Sequence, residues 1–78
     1  MVIFAKIIIT KTHQVLLTKD FGEDGTFVVE AKASFPMAYP SIVIGFAKEE
    51  QRDKCFEDYG VELAELFIAQ VSSVLDDE

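Results

Sequence analysis

The hydrophobic pattern of this chain changes period once, near Ala47, and that change constrains the fold more than any other feature. Before Ala47 the apolar residues recur at every second position. TFVVEAKAS is the clearest case, with Phe27, Val29, Ala31 and Ala33 on one side and Thr26, Val28, Glu30, Lys32 and Ser34 on the other. Only an extended strand puts alternate residues on one face. SIVIGF repeats the pattern with Ile42, Ile44 and Phe46, VIFAKIIIT supplies Ile3, Ala5, Ile7 and Ile9, and QVLLTKD supplies Val15 and Leu17. Four short strands separated by turn chemistry predict an antiparallel meander. Lys11-Thr12-His13 is a short polar break, and Phe21-Gly22-Glu23-Asp24-Gly25 ends in Asp-Gly, a strong hairpin signal. Phe35–Pro40 holds both prolines and reads as a longer extended link.

After Ala47 the period becomes helical. Lys48–Tyr59 gathers Arg52, Cys55, Phe56 and Tyr59 on one side, and Gly60 interrupts the run. Val61–Leu75 then carries Ala64, Phe67, Ile68, Val71 and Leu75 at helical spacing, with Leu63, Leu66 and Val74 expected to widen the stripe. The predicted fold is β-β-β-β-α-α, an α+β domain with two C-terminal helices packed on one face of a four-stranded sheet. Seventy-eight residues suit a single domain, residues 1–78, which buries about 60% of its unfolded surface. Half of the residues are hydrophobic and seven are Phe, so a core is expected without staples.

Cys55 is the only cysteine, which leaves no partner within the chain for a disulfide and suits a reducing, cytoplasmic setting. The apolar start is interrupted by Lys6 and lacks a basic leader region and an A-x-A site. It is also shorter than the ~20 apolar residues that span a bilayer, so it reads as a first strand.

The net charge of −7 is unevenly placed. In residues 1–47, Lys6, Lys11, Lys19 and Lys32 balance Asp20, Glu23, Asp24 and Glu30. The whole excess falls in residues 48–78, where ten acids meet only Lys48, Arg52 and Lys54. Direct nucleic-acid binding and anionic membrane binding both need basic side chains, and this charge argues against them. It argues instead for a protein partner with a basic surface, steered to the acidic half.

No residue pattern carries a catalytic signature. His13 has no companion ligands or nucleophile nearby in sequence and reads as a turn histidine. Cys55 lies on the apolar side of the first helix, where a small hydrophobe fits. DFGEDG places Asp20, Asp24 and Gly25 at calcium-loop positions, but Gly22 and Ala31 stand where the loop needs ligands, so a hairpin turn is expected. There is no Gly-rich phosphate loop and no G-x-S-x-G. The expectation is a protein that is not an enzyme and takes no metal and no cofactor.

The candidate partner-binding residues are Glu49, Glu50, Asp53, Glu57, Asp58, Glu62 and Glu65 on the helices' polar sides, with Phe4 and Tyr59 as apolar anchors. Carboxylates on this run would compete with phosphates for Lys and Arg on a target. Size, acidity and the missing catalytic groups together point to a small inhibitor of the kind bacteriophages encode, anti-CRISPR proteins among them, which block nucleic-acid machinery. The alternative is a homodimer, structural or accessory, joined through the outer face of the sheet. Val2, Phe4, Ile8, Leu16, Val28 and Val43 are expected on that face.

Overall fold

The structure, a computed structural model, describes residues 2–36 and 38–76. The side chains of Val2, Ile3, Leu75 and Asp76, together with the terminal Asp77 and Glu78, lie outside what is described. The order is β1 (Val2–Ile9), β2 (Gln14–Phe21), β3 (Phe27–Ala33), β4 (Ser41–Phe46), α1 (Glu49–Asp58) and α2 (Val61–Asp76). The strands form one antiparallel meander in the order β1-β2-β3-β4, with both helices on one side, as the pattern predicts.

Turn chemistry sets the register. The Thr10 amide donates to the His13 carbonyl at 2.9 Å, and the Thr10 hydroxyl both donates to that carbonyl and accepts from the His13 amide. This leaves Lys11-Thr12 as the turn and pairs Ile8 with Val15 and Lys6 with Leu17. At the next turn Gly22 donates to Thr26, and Gly25 takes φ +76, the left-handed conformation that Asp-Gly supplies.

Register corrects the expected faces of β1. Opposite residues of a pleated pair share a face, and Val15 and Leu17 are fully buried against the helices. Their partners Ile8 and Lys6 must therefore point inward. Ile8 is buried, whereas Ile7 and Ile9 are 63% and 68% exposed on the outer face. Phe4 shares the helix side with Lys6, not the outer face. A bulge between Val2 and Phe4 shifts the start of the strand by one residue.

The core joins Ile8, Val15, Leu17, Val29, Ala31 and Ala33 of the sheet to Phe56, Tyr59, Ala64, Phe67 and Ile68 of the helices. Each fully buried Val or Leu contributes about 1.5–3 kcal/mol. α1 lies over β2, β3 and β4, with Arg52 above Phe21 and Phe27. α2 lies across the opposite end of the sheet. Its Glu65, Ile68 and Ala69 flank the Thr10–Thr12 turn, and its Phe67, Val71 and Val74 flank Pro40–Ile42.

Because α2 meets only that end of the sheet, the stripe it buries is narrow. Leu63, Leu66 and Val74, expected in the core, are exposed instead. No helix among the described residues is long and apolar enough to cross a membrane.

Candidate functional site

α1 begins after an extended Lys48 that makes no side-chain cap, and Glu49 and Glu50 occupy its first turn, where the helix dipole favours negative charge. Its acids then divide into two groups. Arg52, only 2% exposed, is laid between helix and sheet. It donates to the Asp20 carbonyl at 3.1 Å, to Asp53 Oδ1 at 3.0 Å and to Glu49 Oε2 at 3.3 Å. Lys19 adds a second donor to Asp53 at 3.1 Å. Asp53 is therefore held below the ordinary carboxylate range, first by the Lys19 hydrogen bond and then by Arg52. Asp58 is matched by Lys54 at 3.2 Å.

Glu50, Glu57, Glu62 and Glu65 have no ion-pair partner among the described residues. They are the uncompensated part of the expected acidic surface. Glu49, Asp53 and Asp58 already spend much of their charge within the fold.

The two expected anchors behave differently. Tyr59 is 7% exposed and belongs to the core, so it offers no ring to a partner. Burial pushes its phenol up from the usual value, with Cys55 adding to the shift. Phe4 is 62% exposed, and its ring lies 5.3 Å from the Lys19 ammonium, which ties it to the Asp53 cluster. The exposed apolar groups that adjoin the acids include Leu63 and Leu66, with Val61 beside them. They follow from α2 covering only one end of the sheet, which helical spacing alone does not reveal.

The junction between the helices gives these groups a shape. Tyr59 takes an extended conformation, φ −71 and ψ 114, and Gly60 starts the next helix by accepting from the Ala64 amide. This break opens a notch lined by Asp58, Gly60, Val61, Glu62 and Leu63. Glu62, which has no ion-pair partner among the described residues, and Asp58, shared with Lys54, thus flank an apolar wall. Such a site complements a Lys or Arg side chain, whose stem is apolar and whose tip is cationic.

The other candidates lie in turns and beside the core. The His13 ring stacks on Phe35 with centroids 4.2 Å apart, and its Nδ1 lies 2.8 Å from the Thr12 hydroxyl. Burial raises the Cys55 thiol, and the charge of Asp58 raises it further, the opposite of what activates a nucleophile. DFGEDG spans the end of β2 and the β2–β3 turn, and no cluster of metal-ligating side chains occurs among the described residues.

A second surface lies on the far side of the sheet. Ile7, Leu16 and Tyr39 line a shallow apolar depression there with Gln14, Lys32, Ala33 and Ser34, and Ile9 and Val43 are exposed on the same face. No protein-family model, no curated protein and no solved structure matches the chain.

Proposed function

We propose that this chain is a non-enzymatic protein-interaction module whose α1–α2 junction occupies a basic, nucleic-acid-binding surface of a target protein. The observation that carries this reading is the notch at Asp58–Leu63, where carboxylates border exposed apolar side chains. Glu57, Glu62 and Glu65 take the place of phosphates on the target's Lys and Arg, and one such side chain enters the notch. Leu63 and Leu66 add affinity that salt does not screen. In size and charge this is the design of a small acidic inhibitor, the phage type that includes anti-CRISPR proteins, acting in a reducing compartment such as the cytoplasm.

The test is affinity capture from the native host, comparing the parent chain with Glu50, Glu57, Glu62 and Glu65 all changed to Lys. The parent retains a target that salt elutes and that duplex DNA displaces, and the folded variant retains none. Equal retention by both chains contradicts the reading.

A second reading, a structural or accessory homodimer joined face to face through the outer sheet, is favoured by one observation. Ile7, Ile9, Leu16, Tyr39 and Val43 are all exposed on that side. Its signature is a dimer insensitive to salt.

A further inference from the structure

The sheet has a free edge along β1, and the ladder shows which backbone groups that edge presents. In an antiparallel pair, residues whose N–H and C=O point to the partner strand alternate with residues whose groups point away. The Thr10 amide bonds His13, so the pairs Ile8–Val15, Lys6–Leu17 and Phe4–Lys19 exchange the bonds between β1 and β2. The next ladder agrees. Gly22 donates to Thr26 and Ser34 donates to Gln14, which turns the even residues of β2 toward β3 and leaves the odd ones for β1. The N–H and C=O groups of Ala5, Ile7 and Ile9 therefore point out of the sheet, with no strand beyond them among the described residues.

This edge lacks the usual protection. Natural edges are kept apart by charged side chains, prolines or covering segments. β1 contains no proline, and its single charge is turned inward. Lys6 Nζ donates to the Phe56 carbonyl at 2.6 Å and lies 4.8 Å from the Phe56 ring centre. The opposite edge is protected better. β4 is shorter, follows Pro40, and presents Ser41, Val43 and Gly45 outward.

We propose that β1 pairs with β1 of a second copy, antiparallel about Ile7, so that the two sheets become one. In this register Ile7 faces its own copy, and Ala5 faces Ile9 of the second copy. Every outward N–H of these residues then meets an outward C=O of the same three residues. Any extended strand could complete these hydrogen bonds, but a second copy also sets its own exposed Ile7 and Ile9 beside those of the first, which makes it the occupant. Charge selects the register. Centring on Lys6 would oppose two ammonium-bearing strands at the same point, whereas centring on Ile7 sets Lys6 against Ile8 of the other chain. The pairing is isologous and closes at two chains, while β1 against β4 would propagate without end. Ile7, Ile9 and Leu16 form a continuous apolar band across the joint. The acidic junction is untouched, so this inference is independent of the proposed target binding.

The test is mass by light scattering combined with amide exchange of the full chain. The expected result is twice the 8.7 kDa chain mass, with the Ala5, Ile7 and Ile9 amides gaining protection as concentration rises. Ile7→Pro removes one outward N–H without touching the β1–β2 ladder, and is expected to give a folded single chain with the parent's circular dichroism. Ile7→Lys opposes two cations at the symmetry axis and is expected to do the same, which keeps the test decisive if the proline variant fails to fold. A single-chain mass for the parent, open-ended growth, or a dimer whose Ala5, Ile7 and Ile9 amides stay unprotected as concentration rises would each overturn the proposal. The last of these would point to face-to-face association instead. Loss of target capture by the charge-reversed chain has no bearing on any of these readouts.

Discussion

The guanidinium carbon of Arg52 stands 5.2 Å from the centre of the Phe27 ring, and Phe21 lies on it at 5.4 Å. A cation so deeply buried is tolerated because each of its three nitrogens finds an acceptor, on Asp20, Asp53 and Glu49, while the rings take its flat face. It fastens the start of α1 to the β2–β3 hairpin. Among the described residues no buried polar side-chain atom is left without a partner.

Arg52→Ala is therefore expected to destabilise the fold by about 2–3 kcal/mol, through lost packing as well as lost hydrogen bonds. Glu49 and Asp53 can rehydrate, which keeps the loss below that of a fully buried pair. Arg52→Lys should recover only part of it, since an ammonium cannot serve three directions from one plane. Urea denaturation with an unchanged slope is the measurement.

Lys6 reaches across from β1 to a carbonyl in the last turn of α1, a helix with no basic residue of its own there. It supplies from the sheet the positive charge that a helix C-terminus favours. Lys6→Met keeps the apolar stem and removes the donor, and is expected to cost about 1 kcal/mol in the same assay.

Asp53 gives the stability a definite acid dependence. Its folded pKa lies below the ordinary value of 3.8 because Lys19 and then Arg52 favour the carboxylate. The unfolded chain thus takes up a proton first as pH falls, so the contribution is complete above 3.8 and is lost as pH drops through the folded value. Asp20, held low mainly by the Phe21 amide at 2.7 Å, acts in the same direction. Asp53→Asn should lower stability at neutral pH and flatten the decline below pH 4, read from melting temperature against pH.

Cys55 should be a slow thiol. Burial and the neighbouring Asp58 charge both raise its pKa from the ordinary 9.0, so the thiolate is scarce at neutral pH. Alkylation by iodoacetamide is expected to lag behind that of a free cysteine at pH 7 and to go on rising with pH after the rate for free cysteine has levelled off. An alkylation rate at pH 7 matching free cysteine would show that the thiol is more accessible and more acidic than its setting implies.

Much of this architecture is legible in the residues. TFVVEAKAS, the Asp-Gly turn and the apolar spacing of Arg52, Phe56, Tyr59, Ala64, Phe67 and Ile68 fix the strands, the hairpin and the buried helix faces. β1 was not legible from pattern alone, because VIFAKIII is apolar on both faces. Its parity follows from the turn. With Lys11-Thr12 at the bend, Val15 must face the same way as Ile8, and this register sends Ile7 and Ile9 outward. The acidic run was only half legible. Its composition shows an excess of carboxylates, but which of them the fold neutralises depends on Lys19, a strand residue 34 positions from Asp53. Leu63 and Leu66 looked like core because helical spacing cannot tell how far the underlying sheet extends.

The most direct measurement is an amide chemical-shift titration of the labelled chain with an arginine-rich peptide, at low and at high salt. Binding at the helix junction predicts shifts concentrated on Glu57–Leu66, largest at Gly60 and Val61, and reduced but still centred there when salt is raised. Shifts spread evenly over every exposed carboxylate, Glu23 and Glu30 included, and abolished by salt would contradict it, showing a diffuse acidic surface in place of a site.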